Sequence, residues 1–109
     1  MYLLNAFSLN MLADGDADLS VRQVSLVVAR SLAAHCTSAV GHGDTAEVFA
    51  SVLGVPVACN RATVALKDGD LALVGQYSGP RLPEGCSTLP EGATIKWVVV
   101  RVGQPAPLF

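Results

Sequence analysis

The chain predicts an α+β fold, a mixed α/β sandwich in which one mixed β-sheet of about five strands is flanked by helices. Strand-like apolar runs open and close the chain, at Tyr2 to Phe7 and at Lys96 to Val102. Between them, two segments repeat apolar residues at helical spacing. The dipeptide Asp68-Gly69 separates two further strand-like runs, as a hairpin turn does. At 109 residues the chain has the length of one domain with its own core, and 51% hydrophobic residues exclude disorder. A single domain is therefore expected over residues 1–109, with a loose tail from Gly103 to Phe109.

Tyr2 to Phe7 reads as a short buried strand, which Ser8-Leu9-Asn10-Met11-Leu12 leaves with polar and apolar residues alternating. Asp14-Gly15-Asp16 has turn composition, and Leu19 to Val24 alternates as a second strand. Ser25 is the natural N-cap of a first helix, with Leu26, Ala29, Leu32 and Ala33 on one face and an end near Ala34 or His35. Asp44 or Thr45 caps a second helix. Its first turn carries Glu47, its apolar face Val48, Phe49, Val52 and Leu53, and Gly54 and Pro56 end it. Thr63 to Lys67 and Leu71 to Tyr77 are the expected hairpin arms. Six Gly and Pro residues between Ser78 and Gly92 make that stretch an ordered loop before the last strand. The predicted order is β-β-α-α-β-β-β.

Charge narrows the function. Seven Lys+Arg against nine Asp+Glu leave a net charge of -2, too little basic surface for a protein that coats DNA. With 6% aromatic residues, a row of base-stacking rings is not expected either. No apolar run approaches the roughly 20 residues of a membrane helix, and the N-terminus lacks the basic leader of a signal peptide. A cytoplasmic protein without a membrane partner is expected. Cys36, Cys59 and Cys86 are odd in number and widely spaced, which suits small buried hydrophobes in a reducing compartment better than a disulfide or zinc framework. No Walker loop, zincin pattern, G-x-S-x-G elbow or dinucleotide fingerprint occurs, so neither a metal site nor a cofactor is expected.

The informative residues are polar ones in apolar or Gly-rich surroundings. His42 lies in Val40-Gly41-His42-Gly43-Asp44-Thr45, just ahead of the second helix. Gly41 and Gly43 let a ligand approach the backbone closely, and a helix N-terminus offers free N–H donors to an anion. Histidine also moves protons at neutral pH, although a loop histidine without a task is the plain alternative. His35, at a helix end, fits a favourable C-terminal charge. Arg61 and Arg81 stand at loop–strand junctions, where a guanidinium can fork a phosphate. Glu84 is either the ion-pair partner of Arg81 or a catalytic carboxylate. Asn5 interrupts the first strand and Ser8 and Asn10 follow at its end, a place where ligands collect, although Asn5 and Asn10 would equally serve to cap backbone in a turn.

Taken together, YLLNAFSLNML, VGHGDT, VPVACNR and RLPEG occur in an order and spacing that resembles the small ring nucleases of archaeal viruses and bacteriophages. Those proteins act as anti-CRISPR factors against type III systems and have bacterial relatives. The resemblance spans Tyr2 to about Val102. It implies a homodimer with a mixed sheet flanked by helices, working in the host cytoplasm if viral. It implies cyclic tetra-adenylate as ligand, bound across the dimer interface and cut without metal to linear di-adenylate ending in a 2′,3′-cyclic phosphate. By motif match, His42 is then the catalytic histidine, Glu84 its supporting carboxylate, and Arg61 and Arg81 the phosphate-gripping arginines. Ser8, Asn10 and Asn5 become ligand contacts, with Gly41 in the approach to the ring. A dimer that binds and sequesters the ring without cutting it would need the arginines but not a proton-transferring His42. Two departures stand out. Gly43 separates His42 from Asp44 where the family often has an acid directly after the histidine, and Gln76-Tyr77-Ser78-Gly79-Pro80 is one residue longer than usual.

Overall fold

Every backbone edge of a central strand is used in this molecule, and that decides its topology. The computed structural model describes residues 1–107. Its elements are β1 (Tyr2–Leu4), a 3₁₀ turn (Leu9–Met11), β2 (Asp18–Gln23), α1 (Leu26–Ala33), β3 (Thr37–Ser38), α2 (Gly43–Leu53), β4 (Leu71–Ser78) and β5 (Thr94–Gly103). They form one five-stranded mixed sheet in the order β2-β5-β4-β1-β3. β1 runs parallel to both β3 and β4, while β5 is antiparallel to β4 and β2. The α+β sandwich with a single mixed sheet is therefore the fold.

The sheet buries both faces with different partners. Leu3, Leu73 and Trp97 point to α1 and α2, where they meet Ala29, Ala33, Phe49 and Leu53. Their alternating neighbours Leu4, Ala72, Val74, Val100 and Val102 point the other way, onto Val64 and Leu66 of an irregular segment. On the helical side Phe49 and Trp97 make an edge-on ring pair with centroids 5.0 Å apart. Gly75 lies opposite Trp97 in the ladder, and a Cβ there would meet Trp97 Cζ3 at 2.6 Å and Phe49 Cζ at 2.7 Å. Only glycine leaves room for that pair.

Helix ends follow the chemistry of their caps. The Ser25 hydroxyl accepts the Val28 N–H at 3.2 Å, as expected for the first helix. Gly54, at φ 70°, closes α2 in the left-handed conformation. The Arg30 guanidinium donates through Nε and Nη2 to the Val52 carbonyl, satisfying one of the free acceptors of α2's last turn.

Several expectations are corrected. The predicted strand Tyr2 to Phe7 stops at Leu4, because the chain bends at Asn5-Ala6 and Ser8 then caps the 3₁₀ turn. The second strand is Asp18–Gln23 rather than Leu19 to Val24, and as the outer edge it is exposed along its length. The cap of α2 is His42, not Asp44 or Thr45; its φ of −124° is extended, and Asp44 sits inside the first turn. Thr63 to Lys67 is not a strand. Asp68-Gly69 does turn, with the Asp70 N–H on the Lys67 carbonyl at 2.9 Å. But β4 is already paired on both sides, to β5 and β1, so no edge remains for a hairpin arm. The alternation of Val64 and Leu66 marks burial on the sheet, with a single bridge from Leu66 to Leu12. β3, two residues long, escaped the sequence altogether. The last strand begins at Thr94 and takes in Gly103. The segment after it is tied rather than loose: Gln104 Nε2 donates to Asp68 at 3.3 Å and the Ala106 N–H to Asp18 at 3.1 Å. The end of that predicted tail, residues 108–109, lies outside the described residues.

Candidate functional site

Because β1, β3 and β4 are parallel, their carboxyl ends lie at one end of the sheet. Asn5 follows β1 there, Ala39 to His42 follow β3, and Gly79 to Glu84 follow β4. This is where open sheets with parallel strands collect ligands, since the loops that leave the strands diverge and a crevice opens between them. An open cleft of about 1000 Å³ occupies the position, lined by His42, Asp44, Thr45, Tyr77, Gly79 and the run Arg81 to Glu84. A more enclosed cavity of about 120 Å³ lies between Leu12, Leu66, Asp68 and Val102. It is too small for a nucleotide, and Asp14 and Asp16 in its wall would repel phosphate. The cleft at the carboxyl ends is the candidate site.

His42, chosen from the sequence far from Arg81 and Glu84, thus lines one concavity with them. His42 is exposed at the start of α2, and its carbonyl takes the first helical bond, from the Ala46 N–H at 2.9 Å. Arg81 and Glu84 are exposed on the loop after β4. That loop begins at Gly79, where a Cβ would come within 2.7 Å of Ala93 Cβ. The Tyr77 hydroxyl donates to the Pro80 carbonyl, and Asp44 Oδ1 accepts the Gly85 N–H at 3.2 Å. An imidazole, a guanidinium and two carboxyl groups, of His42, Arg81, Asp44 and Glu84, therefore share the cleft.

None of the other candidates lines this cleft, and only Arg61 is tied to the His42 loop. Arg61 Nε donates to the Gly41 carbonyl at 2.9 Å, beside His42 in the chain. A Cβ on Gly41 would meet Arg61 Cγ at 3.3 Å, so the close approach that this glycine permits is that of Arg61. Asn60 and Ser38 tie the same strand of chain down, through Asn60 Nδ2 to the Ser38 carbonyl at 2.8 Å and the Ser38 hydroxyl to the Ala58 carbonyl at 2.6 Å. Ser8 accepts the Asn10 N–H at 3.2 Å and caps the 3₁₀ turn; both are exposed. Asn5 is half-buried at the bend. His35 lies just past α1 and outside the cleft.

The cysteines need correction as well. None of them is a buried hydrophobe: Cys59 is exposed, and Cys36 and Cys86 are half-buried. Burial pushes the Cys36 thiol up, and its Sγ–H donates to the Leu32 carbonyl at 3.3 Å. Tyr77, Thr45 and Leu82 line the cleft without having been singled out in the sequence. Tyr77 alone had a signal, an aromatic at a strand end directly before a Gly-Pro break. Among the described residues, no group of three His, Cys, Asp or Glu stands where it could hold a metal ion, and no helix is long and apolar enough to cross a membrane.

Residues 1–94 match the family model described as STIV B116-like, and the chain belongs to that family. Among solved structures it is similar to B116 of Sulfolobus turreted icosahedral virus (STIV), with a TM-score of 0.79 and 25% sequence identity. That similarity covers 92% of this chain and 97% of the viral chain. No curated protein sequence matches it.

Proposed function

We propose that this STIV B116-like protein is a ring nuclease. It binds cyclic tetra-adenylate as a homodimer in the host cytoplasm, cuts it to linear di-adenylate, and so ends type III CRISPR second-messenger signalling. The observation that carries this reading is the meeting of His42, Arg81 and Glu84 in one open cleft at the carboxyl ends of the parallel strands.

The chemistry needs little from the protein. RNA brings its own nucleophile: the 2′-hydroxyl gives its proton to solvent water as its oxygen bonds to the adjacent phosphorus, the bond to the 5′-oxygen breaks, and a 2′,3′-cyclic phosphate remains. Holding these atoms in line is the largest contribution, up to roughly 7–11 kcal/mol in favourable intramolecular reactions. His42 delivers a proton to the departing 5′-oxygen. Arg81 stabilises charge on the pentavalent phosphorus, for which one preorganised donor is worth about 3 kcal/mol. Glu84, on the same loop as Arg81, orients one of these two groups. Arg61 supplies a further guanidinium next to the His42 loop, its Nε already directed by Gly41. A two-fold dimer presents each of these groups twice, which reconciles a tetra-anionic ring with a protein of net charge -2. Two histidines acting on opposite phosphodiesters give dinucleotide products.

The test is incubation of cyclic tetra-adenylate with the protein in excess chelator, followed by chromatography. Linear di-adenylate with a 2′,3′-cyclic phosphate is expected. Ring that binds but stays intact would convert the reading to sequestration, and ring that does not bind would overturn it. His42→Ala is expected to slow single-turnover cleavage by about 10²–10⁴-fold with binding kept. A fully active monomer by light scattering would remove the shared pocket.

A further inference from the structure

Within the loop between β4 and β5, the short segment that carries Arg81 and Glu84 is held on both sides by side chains that nothing so far has given a role. On one side the Tyr77 hydroxyl donates to the Pro80 carbonyl, one residue before Arg81. On the other, Asp44 Oδ1 accepts the Gly85 N–H at 3.2 Å, one residue after Glu84. Both anchoring residues belong to rigid elements. Tyr77 sits in the β4–β5 ladder opposite Ile95, and Asp44 in the first turn of α2, whose Ala46 and Phe49 are buried in the core. Both also line the cleft.

We infer that Asp44 and Tyr77 are positioning residues, which pin the Pro80–Gly85 segment so that Arg81 and Glu84 stay at the cleft beside His42. An exposed loop of this length otherwise samples many conformations on the nanosecond-to-microsecond scale, and ordering it costs free energy each time a ligand binds. Of the two links, the Asp44 one joins segments far apart in sequence, the start of α2 and the middle of the β4–β5 loop. It sets the one relationship that local structure cannot, the position of Glu84 and Arg81 relative to His42. A carboxylate in a helix's first turn is favoured by the helix dipole, and a hydrogen bond to a charged acceptor is stronger than a neutral one. This also accounts for an acid two residues after the histidine, because Gly43 opens the helix and Asp44 is the next residue able to reach Gly85.

The inference rests on the ring-nuclease reading for its kinetic consequence but not for its geometry, so the experiment has two readouts. The first is exchange of the Gly85 amide hydrogen, followed by NMR without ligand. Asp44→Ala is expected to speed it about tenfold, whereas Asp44→Asn, whose Oδ1 still accepts, leaves it within about threefold of wild type. The second is single-turnover cleavage of cyclic tetra-adenylate. Asp44→Ala is expected to lose on the order of 10²-fold in rate at saturating ring, the usual cost of misplacing reacting groups by about 1 Å. Asp44→Asn is expected to restore most of it, and Tyr77→Phe to lose less than Asp44→Ala. An Asn variant as slow as the Ala variant would assign Asp44 a charge role and overturn the positioning one. So would an Ala variant that cuts within twofold of wild type, or a wild-type Gly85 amide with no protection. If wild type cuts no ring, the proposed activity falls, while the Gly85 exchange series still decides whether Asp44 holds the loop. Should Asp44→Ala fail to fold, Asp44→Asn and Tyr77→Phe carry the comparison.

Discussion

The two faces of the sheet are covered in opposite ways. On one, α1 and α2 supply their own backbone hydrogen bonds and present large side chains: Phe49 and, from the sheet, Trp97 interlock around Gly75, with Leu53 in the same core. On the other, residues 7–17 and 59–68 cross the sheet with no regular structure beyond the 3₁₀ turn, and Val64, Leu66, Met11 and Leu12 fill the space. Their backbone groups find isolated partners, such as the Leu66 N–H on the Met11 carbonyl at 2.6 Å and the Ala13 N–H on the Leu66 carbonyl at 2.8 Å. The helical face resists rearrangement because each of its elements satisfies its own backbone internally and locks in through large interdigitated side chains. The irregular face is ordered only by what it packs on. The cleft follows the same division: His42 and Asp44 come from the helical side, and the loop it holds through Gly85 has no regular structure of its own.

The contrast can be broken at its strongest point first. Phe49→Ala removes the ring that both Trp97 and Gly75 were shaped around, and is expected to cost about 3–5 kcal/mol in denaturant unfolding. Gly75→Ala drives a Cβ into those same rings and is expected to cost about 3 kcal/mol, at the upper end for overpacking. Combined with Phe49→Ala it is expected to cost less, because the truncation removes one of the two clashing rings and leaves room for Trp97, the other, to shift. Strict additivity of the two would show that the rings and Gly75 do not share one constraint. On the irregular face, Leu66→Ala is expected near 2 kcal/mol, the low end for a buried leucine, because the covering chain can settle inward. Its neighbouring amides are expected to exchange by local opening while those of β4 exchange only on global unfolding. A Leu66→Ala loss matching that of Phe49→Ala would erase the distinction. The smallest effect is chemical. At neutral pH an alkylating reagent is expected to modify Cys59 first and Cys36 last. Burial raises the Cys36 thiol above its ordinary value, so less thiolate is present until the pH is raised. Mass spectrometry of partly labelled protein reads the order directly.

The site divides along similar lines. His42, Arg81 and Glu84 were legible as polar groups beside glycines and prolines, and the fold brings them to one cleft. Ser8, Asn10 and Arg61 were legible as candidates, but only the local partnership was open to sequence reading. Ser8 accepts the Asn10 N–H within one turn, whereas Arg61 reaches the Gly41 carbonyl only because of where the segment after α2 runs. Asp44 looked like a helix cap and is instead a tie between α2 and the loop after β4, a contact that no local pattern announces.

From the residues alone followed whatever is governed by interactions within a few positions: the Ser25 cap, the Gly54 stop, the turn at Asp68-Gly69, the amphipathic faces of α1 and α2, and the apolar runs of β4 and β5. The tertiary structure decided which strands pair. Alternation at Val64 and Leu66 states that one side is buried, and is the same whether the burial is in a hairpin or on the face of a sheet. The outcome turned on a competition for hydrogen-bonding edges: β4 has two, and β5 and β1 occupy both. Because β1 and β3 run parallel to β4, that competition also set which loops gather at one end of the sheet. The cleft is a consequence of strand pairing, which is a property of the whole chain and of no segment in it.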